Sequence, residues 1–200
     1  MFNRRSIRLR HHDYTESNTY FVTICTDKMR ELFGTVIHSE MVLNDFGKIA
    51  HDEWRNTPII RPYVILDEFI IMPNHIHGII DIGPRKKGMA APCPYTGPES
   101  MVAAPRTFGH PQSHSLGSII GSIKSAISKR IRNSAYGHGG AMPVALPSSP
   151  TLPPKIWHTN YYENIVRKYG AIDRIRKYIR ENPAKWERDR NNPNPHPVIS

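Results

Sequence analysis

The sequence predicts an α+β fold, an antiparallel sheet with helices packed on one face, interrupted by two long irregular loops. Three observations carry that expectation. Four short runs are rich in β-branched and aromatic residues, as strands are. Longer runs repeat apolar residues at helical spacing. Two segments rich in Pro, Gly and Ala have no period at all. The order is strand, strand, helix, strand, strand, helix, then short helices, which is that of a split β-α-β sheet.

"TYFVTICT" (19–26) reads as the first strand, and "LFGTVIH" (32–38) suits a hairpin partner for it. "NDFGKIAHDEWRNTP" (44–58) reads as a helix. Asn44 is its N-cap, Phe46, Ile49, Ala50 and Trp54 form one apolar stripe, and Pro58 stops it. "YVILDEFIIM" (63–72) is a strong strand, "PN" at 73–74 a turn, and "HIHGIIDIG" (75–83) the returning strand. Residues 84–113 read as a long loop. "SLGSIIGSIKSAISKRIRN" (115–133) returns to helical period, with Leu116, Ile119, Ile120, Ile123, Ile127 and Ile131 inward. Residues 134–154 form a second loop. Both are expected to be mobile insertions in a single domain spanning 1–200. "YENIVRK" reads as a short helix ended by Gly170. "AIDRIRKYIREN" (171–182) reads as a better one, with Ile172, Ile175 and Ile179 inward and Pro183 as terminator.

Two hundred residues suffice for one domain with a core. No apolar run approaches the ~18 residues of a membrane span. "MFNRRSIRLRHHDY" has no signal-type apolar stretch behind it, so a cytoplasmic protein without a membrane partner is expected. Two distant cysteines, Cys25 and Cys93, argue against a disulfide framework or a cysteine zinc site. The formal charge of +10 favours a polyanionic partner, nucleic acid first. Candidate phosphate contacts are Arg4, Arg5, Arg8 and Arg10 near the start, Lys124, Lys129 and Arg130 on the long helix, and Arg174 and Lys177 on the last one. A solvated basic arm is the plainer reading of the first group.

The chemistry concentrates in "IMPNHIHGIID" (71–81). Strand residues two apart share a face, so His75 and His77 point one way and Ile76 and Ile80 the other. Two imidazoles aimed at one point suit a metal ion, and histidines also occur on ordinary half-wet sheets. Tyr178 and Asn182 are four apart, one helical turn. An Asn carbonyl beside two imidazoles suits Mg²⁺ or Mn²⁺, and a phenol can be a nucleophile. With a free pKa near ~10, that phenol needs an ion and a nearby cation, Lys177 or Arg174 among them. Singly, each feature is also an ordinary structural one: a tyrosine at a core edge, an Asn before Pro at a helix end.

Together, "MPNHIHGI" followed by "RKYIRENPAKW" resembles the HUH single-tyrosine transposase family, and within it the REP-associated type. "RRSIRLRHHDYTESNTYFVTICT" is similar to that family's N-terminal strand, and "IWHTNYYENIVR" to its lead into the tyrosine helix. The resemblance implies a ferredoxin-like, HUH-type fold. It implies that His75, His77 and Asn182 hold Mg²⁺ or Mn²⁺ and that Tyr178 is the nucleophile. Tyr161 and Tyr162 fall in the lead-in segment. The implied reaction cuts single-stranded or hairpin DNA, leaves Tyr178 on the 5′ phosphate, and frees a 3′-OH for strand transfer. One tyrosine per chain then requires a homodimer or successive steps. Two other classes compete. A non-catalytic hairpin-binding module of domesticated transposase origin would share the charge. A small-molecule metal hydrolase would not explain the basicity.

Overall fold

The computed structural model describes residues 17–84, 114–136, 155–167 and 170–193. The sheet has the order β4-β5-β1-β6, with β1 (Asn18–Cys25) inside it. A separate ribbon pairs β2 (Gly34–Ile37) with β3 (Glu40–Leu43). Helices α1 (Asp45–Arg55) and α2 (Thr57–Ile60) follow, then β4 (Val64–Ile71) and β5 (His75–Ile82). Among the described residues the long helix α3 (Leu116–Tyr136), the short strand β6 (Tyr162–Ile165) and α4 (Ala171–Arg180) come next, with a 3-10 helix over Pro183–Arg188. Every pairing in the sheet is antiparallel.

The two faces of the sheet differ. Tyr20, Val22, Ile24, Ile76 and Ile80 join the buried cluster with α1 and α3. All six apolar positions expected on α3 are buried there. Gly78 lies on this face because the Trp54 indole of α1 rests against it. A Cβ at Gly78 would stand 2.2 Å from that ring. Asn44 caps α1, its Oδ1 accepting from Gly47 N at 2.9 Å. On the opposite face stand Phe21, His75 and His77, and α4 packs there.

Three elements depart from the sequence reading. The segment 32–38 does not pair with β1, because both edges of β1 are taken, by β5 and β6. Leu32 N and Phe33 N instead donate to Pro73 O at 2.8 and 3.0 Å, and β2 turns back on β3. "YENIVRK" is not helical where it is described: Tyr162–Ile165 is β6, on the free edge of β1. A run that short does not separate helical from strand spacing, and the open edge decides it. Pro58 does not end helical structure either. It sits in the first turn of α2, where its missing N–H is no loss.

Of the two expected loops, 85–113 and 137–154 lie outside the described residues, while 134–136 continue α3. Arg4, Arg5, Arg8 and Arg10 lie outside them too. Among the described residues no helix is long and apolar enough to cross a membrane.

Candidate active site

His75 is the first residue of β5 and His77 the third, on the face away from α1 and α3. Their ring centroids are 4.4 Å apart. Both are buried, His75 completely and His77 at 2% exposure. β5 is an inner strand, so the pair does not lie at a lateral sheet edge. Access is from the sheet face, where Tyr178 stands 39% exposed.

Each imidazole is oriented through Nδ1. Asn74 Nδ2 donates to Asn191 O at 2.7 Å and to Met29 O at 3.1 Å. That fixes the amide, so Asn74 Oδ1 accepts from His75 Nδ1 at 2.8 Å. The Nε2 of His75 therefore carries a lone pair. Thr23 Oγ1 lies 2.9 Å from His77 Nδ1, and Phe21 stacks on the His77 ring with centroids 5.3 Å apart. Burial holds His75 down to about 4 and His77 well below the usual histidine range. Both are neutral at neutral pH.

Tyr178 projects from α4 with its hydroxyl 3.3 Å from His77 Nε2. Asn182 lies just past α4, entering the 3-10 helix, rather than on α4 itself. It is 1% exposed and sits against His75 and Tyr178, near enough to bias both. Yet Asn182 Oδ1 and His75 Nε2 are buried without a hydrogen-bond partner. Such orphaned atoms are unusual, because buried polar atoms are nearly always satisfied. Two imidazole nitrogens and an amide oxygen make a donor set for a divalent cation. Among the described residues no group of three His, Cys, Asp or Glu could hold an ion, so any site here depends on the amide.

Burial pushes the Tyr178 phenol up, and Asp189 adds to that; the Asn182 side chain, then Arg190 and Lys185, pull it down. Arg190 and Lys185 are the cations bearing on the phenol, in place of Arg174 and Lys177. Arg174 and Lys177 are exposed, and Lys177 Nζ lies 3.6 Å from Glu181. Lys124 is half-buried and donates to His158 O at 2.9 Å and Asn160 O at 3.0 Å. Burial lowers it to about 8, and the geometry makes it a tether for the chain entering β6. Arg130 pairs with Glu53 at 2.8 Å, and Lys129 is exposed. Asn74, Thr23 and the 185–190 cations were not singled out from sequence. "PN" signalled only a turn, and nothing in the pattern brings residue 190 to residue 75.

No family model matches the chain. Over 190 residues it is 35% identical to an uncharacterized protein of Haemophilus influenzae, spanning 94% of this chain and 92% of that one. The chain belongs to the family of that protein. A solved structure of a REP-associated tyrosine transposase bound to a REP hairpin superimposes with a TM-score of 0.53. It covers 90% of this chain and 74% of that one at 14% identity. The chain therefore has the HUH-type fold of a REP-associated tyrosine transposase, the fold that the two motifs implied.

Proposed function

We propose that the protein is a metal-dependent single-stranded DNA endonuclease and strand transferase, transposase-like, acting through Tyr178. The observation that carries this reading is that the Tyr178 hydroxyl lies 3.3 Å from His77 Nε2 beside the paired imidazoles, while His75 Nε2 and the buried Asn182 Oδ1 have no hydrogen-bond partner. His75, His77 and Asn182 would hold Mg²⁺ or Mn²⁺. When bound, such an ion polarises a phosphate's oxygens and offsets charge developing on them.

The chain's own residues do the rest. Phe21 and His77 hold the Tyr178 ring edge-on, with Phe21–Tyr178 centroids 6.0 Å apart and rings at 87°. The phenol oxygen attacks a backbone phosphorus. The phenol gives its proton to solvent, the new bond joins Tyr178 to the 5′ phosphate, the bond to the 3′ oxygen breaks, and that oxygen takes a proton from solvent and leaves as a hydroxyl. Arg190 and Lys185 favour the phenolate that the attack requires. The transferred bond energy is kept in the phosphotyrosine, so a second 3′-OH can reverse the step.

A hairpin or repeat DNA is the substrate we favour, since the neighbour of like fold was solved on a REP hairpin and this chain is strongly basic. Arg4, Arg5, Arg8 and Arg10, with Lys129, Arg174 and Lys177, are the phosphate contacts we assign. Two transfers call for a homodimer or successive use of one site, and the cytoplasm is where we place the protein. The test is incubation with labelled hairpin DNA and Mn²⁺. A denaturant-stable protein–DNA band is expected, absent with EDTA and absent for Tyr178→Phe. Tight hairpin binding with no such band in wild type would replace this reading by the non-catalytic binding module.

A further inference from the structure

Helix α4 carries Tyr178 but is thinly anchored: only Ile179 of its residues is fully buried, with Ile172 and Ile175 half-buried. Its strongest polar link to the sheet is a fork. Arg176 Nε donates to both oxygens of Asp67, at 3.0 and 3.2 Å, and Arg176 Nη2 donates to Oδ2 at 2.6 Å. One turn on, Arg180 donates to Glu68 at 2.8 Å. Asp67 and Glu68 are consecutive on β4, where side chains ordinarily alternate faces. Both reach α4 because the register slips there. Leu66 pairs Ile80 and Phe69 pairs Gly78, so three steps on β4 match two on β5. The extra residue is a β-bulge, which re-aims side chains. It turns Phe69 onto Trp54, centroids 5.8 Å apart, and leaves two neighbouring carboxylates for α4.

At 100° per residue, the stripe Ile172–Ile175–Ile179 lies between two flanks of α4. Arg176 and Arg180 occupy one flank and Tyr178 the other. A helix resting on a narrow apolar stripe can roll about its own axis, and roll moves Tyr178 relative to His77. The fork resists roll, since a planar guanidinium on both carboxylate oxygens restrains angle as well as distance.

We infer that Asp67 and Arg176, assisted by Glu68 and Arg180, form a bulge-built ionic clamp that sets the roll of α4 and so positions Tyr178 against the histidine pair. Asp67 and Arg176 are positioning residues, and their role in the reaction rests on Tyr178 being the nucleophile. The clamp itself does not. It also takes Arg176 and Arg180 out of the set of cations free to hold phosphate.

Hydrogen exchange and adduct formation test it together. In Asp67→Asn, amides of 171–180 should exchange at least about tenfold faster while β5 is unchanged. Adduct formation at saturating hairpin DNA should slow by about tenfold or more, as small misplacements do, with DNA affinity within about twofold. Arg176→Lys keeps the charge without the fork and should fall between. The swapped pair Asp67→Arg/Arg176→Asp should recover protection of α4 and part of the rate, and it decides the matter should Asp67→Asn not fold. Unchanged exchange in a folded Asp67→Asn overturns the clamp, as does a swapped pair that recovers nothing. A loosened α4 with an unchanged rate overturns the positioning role. If wild type forms no adduct, the proposed function fails, and the exchange measurements still judge the clamp.

Discussion

Replacing Asn182 by Leu separates a ligand from a structural amide. The backbone at Asn182 is right-handed helical (φ −59°, ψ −43°), which Leu adopts, and Leu is close to Asn in shape. The substitution removes a buried acceptor with no partner, whose burial costs about 1–3 kcal/mol. It gives up a contact from Asn182 Nδ2 to Asp189 at 3.4 Å, too long to contribute much, and the amide's bias on His75 and Tyr178. In EDTA, Asn182→Leu should therefore be more stable than wild type by about 1–2 kcal/mol. At roughly 2–4 °C per kcal/mol for a chain of this size, that is about 2–8 °C in Tm. Mn²⁺ should act in the other direction. At a hundred times its Kd it stabilises wild type by about 2.7 kcal/mol, and Asn182→Leu by only a fraction of that. The assay is a pair of melts for each protein, with EDTA and with Mn²⁺. A Tm for Asn182→Leu several degrees below wild type in EDTA would mean that Oδ1 has a partner after all. Equal Mn²⁺ shifts would remove Asn182 from the ligand set.

Tyr178→Phe keeps the ring contacts with Phe21 and His77, so it should fold, bind hairpin DNA with near-normal salt dependence, and form no adduct; an adduct that survives there but vanishes in Tyr161→Phe or Tyr162→Phe would move the nucleophile to the earlier pair. In EDTA, stability should fall on acidification. His75 titrates near 6.5 when unfolded and about 4 when folded, and His77 shifts the same way, so the unfolded chain binds more protons between those values. The histidine contribution is complete above about pH 6.5 and lost toward pH 4, and a urea midpoint that stays flat over that range would contradict it. Gly78→Ala drives a methyl into the Trp54 ring and should destabilise by about 1–3 kcal/mol in urea melts, with Trp54→Phe in the same chain relieving part of the loss.

The sheet was legible where period and turn chemistry agree. β1, β4, β5, α1, α3 and α4 all stand within a few residues of their expected bounds, because each is long or strongly patterned. The β2–β3 ribbon and β6 were not legible, since what decides them is which edge of β1 is already occupied. The strand-borne part of the site followed from parity, as His75 and His77 do share a face. The rest required distant contacts. Whether Asn182 meets His75 depends on the chain turning into a 3-10 helix after α4. The cations near Tyr178 come from 185–190, a stretch with no period, and nothing in the pattern marks Arg176, which Asp67 holds, off from its basic neighbours.

The Pro73–Asn74 turn gathers more of the molecule than its length suggests. Pro73 O takes Leu32 N and Phe33 N, Asn74 O takes Thr26 N at 2.8 Å, and the Asn74 amide reaches Met29, His75 and Asn191. A two-residue knot thus ties the exit of β1, the approach to the ribbon, the first imidazole and the C-terminal turn. Pressures on "PN" and on "HIH" are consequently separable. On the proposed function, a descendant that has abandoned cleavage has no further use for His77 or Tyr178, yet still needs Asn74 to close its fold. Loss of the imidazoles with the knot intact would be the mark of a retired enzyme kept for its grip on DNA, and a broken knot the mark of a decaying one.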